Sequence, residues 1–94
     1  MRALVFAPGE GAAEVDYDGR LETLQRFVIG YIEATAKGSL PRGCVGYVNE
    51  DGRGLALPWN RGHYGTIVVV GVDRDGLEIS LTDSQVTEIT GAIK

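Results

Sequence analysis

Tyr47-Val-Asn-Glu-Asp-Gly-Arg-Gly-Leu-Ala-Leu-Pro-Trp-Asn-Arg-Gly-His-Tyr-Gly-Thr-Ile-Val-Val-Val-Gly-Val-Asp73 joins the most polar, glycine-rich loop of the chain to its most apolar run. Thr66 to Val72 is apolar on both faces except at Gly71, which predicts a central strand covered on both sides. The loop before it, Pro58 to Gly65, carries most of the chemistry. A buried strand fed by such a loop is a natural place for a small domain to hold its function.

Downstream, Asp73-Arg-Asp-Gly76 predicts a hairpin turn, and Leu77 to Leu81 alternates as the partner strand. Thr82-Asp-Ser-Gln85 has the pattern of a helix capping box, with Leu81 and Val86 at the positions of a hydrophobic staple. Val86, Ile89 and Ile93 continue as an apolar stripe. Upstream, Cys44 to Val48 reads as a strand and Asn49 to Gly52 as a tight turn. Arg53 to Leu57 is then a returning strand or an extended stretch.

At the start of the chain, Ala3 to Ala7 and Ala13 to Tyr17 flank the turn Pro8 to Gly11 and predict an N-terminal hairpin. Asp18 stands where a helix cap is expected, and Leu21, Leu24, Phe27 and Val28 follow at helical spacing. Gly30 is placed to end that helix in the left-handed conformation. Tyr31 to Thr35 is rich in strand formers, and Lys37 to Gly43 is a loop. The sum is a single α+β domain spanning residues 1–94. It is a small antiparallel or mixed sheet of about six strands, with two helices packed on one face.

Ninety-four residues with 44% apolar content can build one modest core. A core that small, with the apolar run Ile67 to Val70, predicts a homodimer formed through an edge strand or a helix face. The net charge of −4, with scattered basic residues, argues against general nucleic-acid binding. Cys44 is the single cysteine, so no intrachain disulfide or thiolate metal cluster is expected, which fits a cytoplasmic protein. The first residues lack the long apolar region of a signal peptide, and no run approaches the ~20 apolar residues of a membrane span.

Trp59, Asn60, Arg61, His63 and Tyr64 are the candidate ligand- or partner-binding residues. Arg61 has the fork geometry to grip a phosphate or carboxylate, Asn60 can read an amide or base edge, and Trp59 or Tyr64 can stack on a ring. The structural alternative is a surface turn in which Trp59 covers the core, Asn60 caps locally and Arg61 pairs with an acidic neighbour. His63, the single histidine, cannot alone make an ordinary metal site. Cys44 paired with His63 is a conceivable nucleophile and base, but a cysteine in an apolar strand is usually a core residue. Asn49 to Asp51 and the group Asp73, Asp75 and Glu78 read as hairpin tips. Glu33 matters only if it points inward. No cofactor, metal or catalytic residue is expected.

Gly30-Tyr-Ile-Glu33, Val48-Asn-Glu-x-Gly52, Leu57-Pro-x-Asn-Arg61, Gly65-Thr-x-Val-Val69-x-Gly71 and Ser80-Leu-Thr-Asp83 form an ordered set over nearly the whole chain. The set resembles an uncharacterised domain family of small proteins from bacteriophages, plasmids and actinobacterial hosts. The resemblance implies a compact fold and a mobile-element setting, hence the host cytoplasm if phage-encoded, and it carries over no catalytic residues. The expected function is therefore an accessory protein that binds a host or defence protein without enzymatic activity. The alternatives are a protein that sequesters a small anionic, nucleotide-like ligand through residues 58–65, and a small enzyme.

Overall fold

In the computed structural model the described residues are 1–35 and 40–92. Residues 37–39 of the expected loop, and Ile93 at the end of the expected stripe, lie outside them. The elements are β1 (Arg2–Phe6), β2 (Ala12–Asp16), α1 (Leu21–Val28), β3 (Ile32–Thr35), β4 (Cys44–Asn49), β5 (Trp59–Asn60), β6 (His63–Tyr64), β7 (Ile67–Val72), β8 (Glu78–Ile79) and α2 (Asp83–Ala92).

The apolar run becomes β7, buried from Ile67 to Gly71 and central in the sheet order β2-β1-β7-β4-β3. Every pairing is antiparallel. Side chains alternate across the pleat, so β7 feeds two cores. Ile67 and Val69 pack with Leu4, Phe6, Val48, Leu81 and Ile89 on one face. Val68 and Val70 pack with Ala3, Tyr17, Leu24 and Val28 on the other. Each fully buried aliphatic side chain contributes roughly 1.5–3 kcal/mol.

The helices do not share a face. α1 buries Leu24 and Val28 against the second core, while α2 buries Ile89 in the first. The reason lies in β7 itself: a strand apolar on both sides leaves two faces to cover, so one helix goes to each.

The hairpin after β7 forms as expected. Asp73 Oδ1 accepts the amides of Asp75 and Leu77, each at 2.9 Å. β8 pairs Ile79 with Gly71 and Glu78 with Val72, taking up the edge of β7 beyond its pairing with β1 at Ile67 to Val69. The capping box is also present. Gln85 N–H donates to Thr82 Oγ1 at 3.1 Å, and Thr82 N–H donates to Gln85 Oε1 at 2.9 Å.

Three local expectations are corrected. The first is Asp18, which does not occupy the cap position of α1; Arg20 does, without a side-chain cap bond. Asp18 instead accepts the Arg20 amide at 3.0 Å and the Thr23 hydroxyl at 2.8 Å. The Thr23 hydrogen bond first, then the Arg20 amide, holds its carboxyl below the usual range.

The second is the left-handed residue ending α1, which is Ile29 (φ 62°, ψ 48°) rather than Gly30. The helix end is capped from outside. The buried Asn49 amide donates to the Val28 carbonyl at 3.0 Å and the Ile29 carbonyl at 3.1 Å. A Cβ on Gly30 would lie 2.6 Å from Asn49 Nδ2, so Gly30 makes room for that cap.

The third is the stretch Arg53 to Leu57, which runs through consecutive turns and is no returning strand. β4 already has β7 on one side and β3 on the other, so no edge is left for it.

Candidate functional site

The loop 58–65 folds on itself as the hairpin β5–β6, pairing Trp59 with Tyr64 and Asn60 with His63. Arg61 (φ 49°) and Gly62 (φ 91°) form its two-residue turn. Positive φ at both central positions matches the tight turns that follow strand twist.

The side chains divide by role. Asn60 is buried, and its amide donates to the carbonyls of Phe6 and Gly65, each at 2.8 Å. Its Oδ1 accepts from Arg61 Nη1 at 2.7 Å. Arg61 Nη2 donates to the Glu10 carbonyl, and the guanidinium lies 5.1 Å from the Phe6 ring centroid. Arg61 Nε is buried without a hydrogen-bond partner. Both arms of the fork are thus engaged inside the fold, and so is the amide expected to read a ligand edge. Asn60 and Arg61 tie the hairpin to the end of β1 and to the β1–β2 turn.

Trp59 is 63% exposed and does not cover the core. Its ring stands edge-on to Tyr64, with centroids 5.2 Å apart and planes at 77°. The outcome is a hairpin pinned from within that carries an exposed Trp59 against a half-buried Tyr64.

His63 and Tyr64 also line a cleft of about 270 Å³ with Glu33, Glu50 and Arg53. Glu33 is exposed, so it carries no burial penalty that would demand a partner. Asn49, expected in a turn tip, is the α1 cap described above. Cys44 sits at the far end of β4 from Asn49, packed on the Leu4 core. Burial, with a smaller effect from Glu88, raises its thiol pKa, which disfavours the nucleophilic thiolate. Among the described residues no group of histidine, cysteine and carboxylate side chains could hold a metal ion, and no helix is long and apolar enough to cross a membrane.

Glu78 was legible only as part of an acidic turn. The structure moves it out of the turn and into contact with Tyr17, whose hydroxyl donates to Glu78 Oε1 at 2.8 Å. The sequence signal was the alternation itself: Ala13 to Tyr17 and Leu77 to Leu81 each place every second residue on one face.

An antiparallel sheet with one helix on each face and a pinned surface hairpin defines a small α+β domain. The chain belongs to the family described as Domain of unknown function (DUF3846), whose model matches residues 1–94. No curated protein and no solved structure matches it.

Proposed function

We propose that this protein is a non-enzymatic binding module, of the accessory kind that phages and plasmids encode, which docks on a host or defence protein through Trp59 and Tyr64. The observation that carries this reading is an indole 63% exposed on a hairpin that Asn60 and Arg61 pin from within. Tryptophan and tyrosine dominate the strong contacts of protein interfaces. An anchor already held in place loses little conformational entropy on binding. A catalytic reading has less support, since the one thiol is disfavoured as a thiolate. The host cytoplasm and a homodimer belong to the same proposal, with β2 and β3 at the two sheet edges as the surfaces for self-pairing.

Trp59 is the only tryptophan, so its emission reports on this surface alone. Protein purified from its host should retain a partner by native mass spectrometry, and Trp59→Ala should release it with an unchanged melting temperature. Adding the purified partner to the wild type should shift Trp59 emission to shorter wavelength. Retention by Trp59→Ala, or unmoved emission, would overturn the reading.

The cleft beside His63 supports a second reading, a small-molecule binder. Its mix of carboxylates, guanidinium and imidazole suits a polar ligand. Native mass spectrometry would then show a small retained mass that His63→Ala loses.

A further inference from the structure

We propose that the groove between the start of α1 and the β7–β8 hairpin receives a lysine or arginine side chain from a partner protein's extended segment, with Glu78 as the counter-ion. The groove encloses about 380 Å³ and is lined by Tyr17, Leu21, Leu24, Tyr47, Leu77 and Glu78, among others. It is separate from the β5–β6 hairpin. β8 pairs with the Gly71–Val72 end of β7, whereas Asn60 binds Phe6 at the Ile67 end.

Among the described residues Glu78 is a carboxylate with a hydrogen-bond donor but no cation beside it. Glu78 is half-buried and accepts from the Tyr17 hydroxyl, itself on a side chain that is 1% exposed. Burial first, then Glu78, raises the pKa of both Tyr17 and Tyr47, so both phenols stay neutral beside the charge. The ion pairs among the described residues are Met1–Asp16, Arg2–Glu14 and Arg2–Asp83, and none of them involves Glu78. Partial removal from water strengthens the pull of such a carboxylate on a cation, and uncharged phenols cannot neutralise it.

The walls select what carries the cation. Leu21 is 52% exposed and Leu77 is 65% exposed, giving two apolar side chains at the groove. A long methylene stem lies well along such walls while its charged head reaches Glu78. A small free cation would leave the leucines uncovered; a polypeptide with apolar residues beside its basic one would cover them. Glu78→Gln keeps an oxygen acceptor for the Tyr17 hydroxyl, so it removes the charge while preserving that contact.

The test is titration of the isotope-labelled full chain, followed by NMR, with a short peptide carrying arginine between two leucines. The control peptide replaces arginine with citrulline, which has the same shape and no charge. The arginine peptide should shift the amides of residues 76–79 and 19–24. Citrulline should weaken binding about tenfold or more, the effect expected of losing a charged hydrogen bond. Glu78→Gln should weaken the arginine peptide by a similar factor and leave citrulline binding unchanged.

Equal binding of the two peptides, or no shifts with either, would overturn the proposal without touching the Trp59 reading. Spermidine shifting the same amides as strongly as the peptide would give the groove to a free cation and also overturn it. A fall in solution mass from dimer to monomer on Glu78→Gln would assign the groove to a second copy of this chain, a third way for the proposal to fail.

Discussion

The Arg61 guanidinium lies 5.1 Å from the Phe6 ring centroid while its Nη1 donates to Asn60 Oδ1 at 2.7 Å, so a residue equipped to grip an anion is instead clamped between a ring and an amide. Asn60 in turn holds the Phe6 carbonyl. One cation and one amide therefore fasten the hairpin to β1.

Removing Arg61 should cost stability. Arg61→Ala loses the cation–ring contact and leaves Asn60 Oδ1 without its donor, a loss of about 1–3 kcal/mol. Arg61→Lys should recover only part of this, because an ammonium cannot span Asn60 and the Glu10 carbonyl as a planar fork does. Urea denaturation of both variants checks it. An unmoved midpoint in Arg61→Ala would mean that the arginine is not clamped and is free for a ligand.

Ile29 is 72% exposed and sits at φ 62°, where a β-branched side chain is strained. Left-handed backbone costs an ordinary residue roughly 1–2 kcal/mol, and asparagine tolerates it. Ile29→Asn should therefore stabilise the protein by about 1 kcal/mol, against the usual direction of point substitutions. A lower thermal midpoint would show that Ile29 makes a contact worth more than its strain.

Sequence patterning revealed elements wherever a local rule was sufficient. β7, its hairpin with β8 and the α2 capping box each follow from contiguous residues. The helix faces did not, because placing α1 and α2 on opposite sides depends on sheet order, and β1 comes to lie beside β7 across more than sixty residues of chain. The roles of Asn49 and Asn60 were hidden for the same reason. Each amide serves a carbonyl on another element, Val28 of α1 for Asn49 and Phe6 of β1 for Asn60, and those distant partners are not visible from the loop, where the Asn60 amide donates to Gly65. The chemical richness of the hairpin is plain in its residues, but which of them face inward is set by the β1 end they meet.

The α2 cap gives a further check. Thr82 Oγ1 accepts the Gln85 amide at 3.1 Å, closing the first turn of α2. Thr82→Ala should cost about 1 kcal/mol, with Thr82→Ser close to wild type. Chemical denaturation that separates neither variant from wild type would show that the anchoring of Leu81 to Arg2 fixes α2 without the box.

The contact of Tyr17 with Glu78 makes stability sensitive to alkali. Burial first, then the Glu78 hydrogen bond and charge, raise Tyr17 above its ordinary value. In the unfolded chain the phenol loses its proton near pH 10, while the folded protein holds it to higher pH. Above about pH 10 the unfolded state thus binds fewer protons than the folded one, and stability falls as pH rises. The stabilisation from Tyr17 is fully present below that point. Tyr17→Phe should be less stable than wild type near neutrality, by about 1 kcal/mol for the lost hydrogen bond. It should also lose stability less steeply above pH 10, since the share of Tyr17 is gone while Tyr47 and Cys44, both raised in the same direction, contribute equally to the two proteins. The two curves of unfolding free energy against pH should converge as pH climbs. Parallel curves would mean that Tyr17 titrates as it does in water, and that its hydroxyl is not held against the Glu78 carboxylate in solution.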